Sequence, residues 1–222
     1  MLKLKLRFYA RDILNILLWG RNGPKSAELI FIDPCSITHV LQKPISRKQS
    51  GKVLDSDWDL NIIHIHELPK VAACRAHFIH NIPWENSGAW ELMADLFKVR
   101  SSPDNCSSWV DVEERYSRLD ELYKHLKEGG RFKSQAELSR TKKFRERGGV
   151  HVHFNRDGEP VFGAGGCHRL AIAQILKLPY IPAQLGVVHK NAINIWRSKL
   201  ITPITKKQTG SLFNLKKRDP AL

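Results

Sequence analysis

Val150-His151-Val152-His153-Phe154, then Val161-Phe162, then Gly163-Ala164-Gly165-Gly166-Cys167-His168-Arg169 is the stretch on which the fold turns. Apolar residues alternate with histidines from 150 to 154, the period of a half-buried strand, and Asn155-Arg156-Asp157-Gly158 supplies turn residues before the second short strand. Three glycines in four positions then let the backbone turn sharply and let a ligand approach the main chain. From Cys167 the pattern becomes helical and runs to the residues before Pro179, after which Ile181 to Val188 reads as another strand. The helix start aims unpaired N–H groups and the positive end of its dipole at the glycines, which outlines an anion site. His168 and Arg169 add two donors, and a guanidinium fork binds two phosphate oxygens at once.

Gly165-Gly166-Cys167-His168-Arg169 resembles the GGCHR signature of sulfiredoxin. The wider frame of strand, Asp157-Gly158, strand, glycine turn, helix and Ile181-Pro182 is similar to the ParB/sulfiredoxin superfamily, over roughly a third of the chain. The resemblance implies an α+β fold, a small mixed sheet with flanking helices, here preceded by an α-rich N-terminal extension. It also implies a nucleotide whose phosphates rest on Gly165, Gly166, His168 and Arg169.

Working outward, composition sets bounds. A chain of 222 residues, 42% hydrophobic, can bury a real core, and six tryptophans argue for packing over disorder. Net charge +14 and a pI near 9.8 imply an anionic partner: nucleotide, nucleic acid, acidic glycan or membrane surface. Cys35, Cys74, Cys106 and Cys167 form no C-x-x-C pair, so a reducing cytoplasm is the expected location. The N-terminus alternates Leu2, Leu4 and Leu6 with Lys3, Lys5 and Arg7 before the apolar run Ile13 to Trp19. That run is short and holds Asn15, which argues against a signal peptide or a transmembrane segment. An amphipathic helix packed on the domain is expected in preference to one resting on acidic lipid.

Glu28 to Pro34 reads as a short strand that stops at a turn, Lys43 to Asp59 as an exposed polar loop, and Leu68 to Phe78 and Trp84 to Phe97 as helices, with Asn86-Ser87 offered as a cap. Cys74, His77 and His80 share a helical face, but no fourth ligand stands near them, so no metal is expected. A turn-rich stretch from Ser101 to Ser108 suggests a division into 1–110, a nucleotide-binding unit 111–190, and a helix with a basic tail, 191–222. The helix Glu113 to Glu128 buries Leu119, Leu122 and Leu126 and is stopped by Gly129-Gly130. Beside that stripe runs the polar row Arg118, Glu121 and His125. The sulfiredoxin resemblance implies that this row faces the nucleotide, with Arg118, Glu121 and His125 near the phosphates; Glu121 and His125 depart from the family's pattern, and a carboxylate there is either catalytic or a solvated helix charge.

Between this helix and the central stretch lies a basic segment, 131–147, containing Phe132 and Phe144, which suits a groove for an acidic substrate or nucleic acid. Three functions follow. The first is a phosphotransferase or nucleotide hydrolase using ATP or another nucleoside polyphosphate with Mg²⁺, acting on an unidentified small hydroxyl compound or sugar, with His168 as a catalytic group. The second is a nucleotide-switched DNA-binding protein of ParB type, although no helix-turn-helix pattern follows the core. The third is a cysteine sulfinic acid reductase in which Cys167 is the catalytic thiol.

Overall fold

The computed structural model describes residues 2–138 and 145–203. One mixed sheet of seven strands organises them: β1 (Leu29–Ile32), β2 (His39–Leu41), β3 (Val53–Leu54), β4 (Ile62–His64), β5 (Val150–Phe154), β6 (Pro160–Phe162) and β7 (Ile181–His189). Their order is β1-β7-β5-β6-β2-β4, and β3 pairs with the far half of β7. β5 and β7 run parallel, β6 returns antiparallel to β5, and β2 lies parallel to β6. The expected α+β mixture is therefore present, with six α-helices around the sheet. Strands from both sides of the stretch 101–108 share that sheet, so residues 29–64 are built into the same layer as the glycine turn.

The helices are α1 (Leu2–Trp19), α2 (Pro69–His80), α3 (Ala89–Val99), α4 (Trp109–Lys127), the single turn α5 (Gln135–Leu138) and α6 (Cys167–Ile175). Proline at the first position starts α2, and Asn81 in the left-handed region ends it. A capping box starts α4: Ser108 Oγ accepts from the Asp111 N–H, and the Asp111 carboxylate accepts from the Ser108 N–H. α3 begins at Gly88, and neither Asn86 nor Ser87 is its N-cap. Beyond β7 the expected helix is replaced by two 3-10 turns, Lys190–Ala192 and Trp196–Lys199, whose Trp196 is fully buried against Phe154.

Val150, Val152, Phe154 and Phe162 supply the sheet's side of the core, and Leu170, Ile172 and Ala173 of α6 pack into the same cluster. α6 also packs along α2 and is buried nearly all round. α2 is fastened to α4 by Asp120, which accepts hydrogen bonds from Trp84 Nε1 and His77 Nε2, both at 3.0 Å, while the His77 ring stacks on Trp84. His77 is thus engaged in packing, and among the described residues no group of three His, Cys, Asp or Glu could hold a metal ion.

Two regions differ from the sequence reading. β5 is buried on both faces, with His151 and His153 at 0% exposure, because the polar stretch 43–59 folds over the side that alternation marked as wet. That stretch is an ordered cover made of two 3-10 turns and β3, with Ser50 and Asp59 buried. Asp59 clamps it to the β5–β6 turn: its carboxylate accepts from the Arg156 backbone N–H at 2.8 Å, from Nε at 2.9 Å and from Nη2 at 2.8 Å. Burial alone would raise this carboxyl, but the Arg156 bonds hold it below its ordinary value. Asp59→Asn turns an amide donor toward a guanidinium, so its urea midpoint falls with the slope unchanged; an unaltered midpoint would show that the clamp carries no stability.

Candidate functional site

The glycine turn follows β6 and is tied back to β5: the Gly163 N–H donates to the His151 carbonyl at 2.7 Å, and the His151 N–H donates to the Gly165 carbonyl at 2.9 Å. Ala164 has φ +58 and Gly166 φ +88, so the chain reverses through two left-handed residues before α6 begins. Gly166 is the N-cap of α6 and offers no side-chain cap, so the first N–H groups of the helix have no capping side chain. A Cβ at Gly166 would stand 3.1 Å from both Cα and Cγ2 of Val150. Gly166→Ala therefore lowers stability by about 1–2 kcal/mol, read in urea unfolding; a neutral result would show that the turn has relaxed to another shape.

One flank of the turn is a buried polar cluster under the cover. The Arg47 guanidinium lies against Gly165 so closely that any Cβ there would overlap it. Arg47 donates to Gln184 Oε1 and, at 2.8 Å, to the Gly149 carbonyl. Gly163 faces the rings of His151 and His153, which stand 4.5 Å apart. The Val187 N–H donates to His153 Nδ1 at 2.9 Å, which fixes that ring as the neutral tautomer with its proton on Nε2. His151 Nδ1 faces the Gly163 carbonyl at 3.4 Å, which leaves its Nε2 with the lone pair. Burial, with help from Arg47, pushes His151 down to about 4; burial with His151 and Arg47 drives His153 well below its ordinary value. His151 Nε2, His153 Nε2, Gln184 Nε2 and the nearby Trp58 Nε1 are buried without a hydrogen-bond partner in the protein. Buried polar atoms are normally satisfied by protein groups or by ordered water, and of these four residues the rings of His151 and His153 are the ones that stand against Gly163.

The other flank is formed by α2, α4 and α6. His168 is buried with its ring edge against Tyr116, 5.6 Å between centroids, and its Nε2 has no partner. Burial foremost, then Arg115 and Lys70, push it down to about 3. Asp104 pairs with Lys70 and stands 3.8 Å from Arg115 Nη2; burial raises its carboxyl, but Lys70 and then Arg115 outweigh that and keep it lowered. Asp104 and Asn105 sit at φ +55 and +65, a backbone shape that L residues rarely adopt and that holds the carboxylate between its two cations.

The expected site residues divide accordingly. Gly165, Gly166 and His168 lie at the turn. Arg169 does not: its Nη2 donates to the Lys133 carbonyl at 3.1 Å, its guanidinium lies 5.0 Å from the Phe132 ring centre, and Glu146 is its nearest charge influence. It holds Phe132 and Lys133 against α6. Arg118, Glu121 and His125 are exposed on the opposite side of α4, with Arg118 paired to Glu114 and His125 packed at Gly130. The helix turns Arg115 and Tyr116 to the site in their place. Cys167 is partly buried, and burial raises its thiol, Lys70 opposing and Asp104 adding; Cys74 behind it is pushed up to about 12. In the basic segment, Arg131 pairs with Glu137 and Arg145 with Asp12, and Phe144 lies outside the described residues. Arg47, against Gly165, and Lys70 and Arg115, beside Asp104, are the cations near the turn and His168 that the sequence analysis did not single out. Comparison with protein-family models, with curated proteins and with solved structures finds no match to this chain.

Proposed function

We propose that the chain binds a nucleoside polyphosphate at the glycine turn and transfers or hydrolyses its terminal phosphoryl group. The observation that carries this reading is the Arg47 guanidinium lying on Gly165 beside the uncapped start of α6. Main-chain amides and a fork of N–H donors together suit phosphate oxygens. Neutral histidines are suited to the same ligand, because each offers a directed donor or acceptor without a charge that would have to be buried. His153 Nε2–H faces an acceptor such as a phosphate oxygen, and the His151 Nε2 lone pair faces a donor such as the hydroxyl of an acceptor substrate or a water molecule. Phosphoryl transfer asks chiefly for positioning and charge neutralisation, which Arg47 and the amides supply.

Among the described residues no group of three or more His, Cys, Asp or Glu could hold a metal ion, and in this reading Mg²⁺ enters bound to the nucleotide, as part of the substrate. A sulfinic acid reductase needs a thiolate, and the raised Cys167 thiol counts against that reading. Isothermal titration of ATP, ADP and CTP, each with and without Mg²⁺, tests the proposal. Saturable binding that weakens from triphosphate to diphosphate is expected, and failure of all three to bind removes it.

A further inference from the structure

α1 is attached to the protein by its polar side. Asp12 Oδ1 accepts from the Ser26 N–H at 2.7 Å and Oδ2 from Arg145 Nη1 at 2.6 Å; Asn15 Nδ2 donates to the Pro24 and Gly51 carbonyls at 2.6 and 2.7 Å. Among the described side chains of the helix, Phe8 is the large apolar one that is fully buried. Those bonds fix the helix's rotation, since rolling it inward would strand a buried carboxylate and a buried amide. The consequence is an apolar face turned outward: Leu17 is 77% exposed, Ile13 61%, Leu18 61%, Leu6 60%, with Leu14 and Ile16 also above half. A surface helix ordinarily buries such residues and exposes its polar ones. Here the order is inverted.

Charge decides what this face meets. Asp12, buried and paired, is the only acid in the helix, while Lys3, Lys5, Arg7 and Arg11 are its bases and Arg21 follows its end. Lys3 and Arg7 are exposed, one turn apart on the flank that carries Leu14. A groove of about 460 Å³ beside Leu14 and Leu18 is bordered by Lys52 and by Lys190, which pairs with Asp55 at 2.8 Å. A second copy of this chain would bring like charges together around the apolar stripe, whereas an anionic lipid surface matches both the stripe and its basic border.

We propose that α1 is an interfacial anchor that lies flat in the headgroup region of an anionic phospholipid bilayer, with Leu6, Ile13 and Leu17 inserted and Lys3, Arg7 and Lys52 over lipid phosphates. No described helix is long and apolar enough to cross a membrane, and α1 carries too many charges to do so, which is consistent with an in-plane position.

Vesicle flotation of the full chain tests this, using neutral phosphatidylcholine vesicles and vesicles with 30% phosphatidylglycerol (roughly, within the range over which surface charge attracts cations). Binding to the anionic vesicles is expected to exceed binding to neutral ones at least tenfold. The triple variant Leu6→Ser, Ile13→Ser, Leu17→Ser alters exposed positions only, keeps its circular dichroism and melting temperature, and loses about tenfold or more of the binding. Lys3→Glu with Arg7→Glu loses a similar factor at low salt, and its gap to wild type narrows as added salt screens the lipid charge. Equal binding to neutral vesicles, undiminished binding by the triple variant, or a concentration-dependent dimer in sedimentation that the triple variant abolishes would each overturn the proposal. The last outcome would assign the face to a second copy.

Discussion

On the proposed function, Arg47→Ala is expected to weaken nucleoside triphosphate binding about 100-fold, the equivalent of about 3 kcal/mol for a charged hydrogen-bonding group lost from a mostly buried site. The guanidinium is held against Gly165 by bonds to Gln184 and Gly149, so it needs little reordering to meet phosphate oxygens. Its removal leaves the Gly149 carbonyl without that donor, while Gln184 Oε1 still accepts from the Gly148 N–H at 3.0 Å. The stability loss is therefore modest, about 1–2 kcal/mol, and leaves a folded variant to titrate. Arg47→Lys keeps the charge but lacks the fork, and an intermediate loss is expected. Arg169→Ala is the contrast: it releases Phe132 and Lys133 from α6 and lowers stability, yet leaves affinity within a few-fold of wild type. If titration instead finds Arg169→Ala without affinity and Arg47→Ala unimpaired, the assignment of Arg47 to the phosphates is wrong. Arg47 also helps to depress His151, so in the alanine variant the His151 imidazole titrates at higher pH, a change visible by NMR without any ligand.

The central strands and α6 are legible in the sequence because period two gives way to period 3.6 at Cys167, with the glycines marking the change. The phase of α4 is legible too, from Leu119, Leu122 and Leu126. That same phase carries the correction: Arg118, Glu121 and His125 lie about a third of a turn from the stripe and so face water. Arg115 stands four residues before Leu119, in line with it. A cation inside an apolar stripe is the signal that would have found it. The sequence could not reveal the buried faces of His151 and His153, since alternation of apolar and polar residues describes a strand with a wet side and a strand with a polar, covered side equally well. Arg47 was hidden for a related reason. A run of Ser, Lys and Gly announces the absence of long helices and strands, and says nothing about burial, which here comes from the β3 pairing and the Asp59–Arg156 clamp. The sequence predicts α1 as a helix packed on the domain, and it does pack there, but through Asp12, Asn15 and Phe8, a choice made by partners at Ser26 and Gly51 that lie outside the helix.

Acid is expected to unfold the protein well before its carboxylates are protonated. An unfolded histidine takes up a proton near pH 6.5, whereas folded His151 resists until about 4 and folded His168 until about 3, in each case chiefly because burial disfavours the charged ring. The neutral forms thus contribute their full stability above about pH 6.5. As pH falls below that value the unfolded chain gains protons that the native site does not, and stability declines until the folded rings themselves become charged. At about 1.4 kcal/mol for each unit of difference, His151 accounts for about 3 kcal/mol and His168 for about 5, a sum comparable with the whole stability of many domains. His153, depressed in the same direction, adds a third proton to the transition. The lowered carboxylates act later: Asp59 and Asp104 stay ionised below their ordinary range, so what they contribute is lost at lower pH. Urea midpoints measured from pH 7.5 to 4.5 should accordingly fall steeply below pH 6, and the steepest part should involve two to three protons, roughly one for each buried imidazole. His168→Leu removes one titrating group whose Nε2 has no partner, so its curve is flatter by about one proton. A wild-type midpoint that is level between pH 7.5 and 5 would mean that these rings are already hydrated or charged in the native protein. The unsatisfied nitrogens around the glycine turn would then be ordinary solvated groups, and the ligand site would rest on Arg47 and the helix start alone.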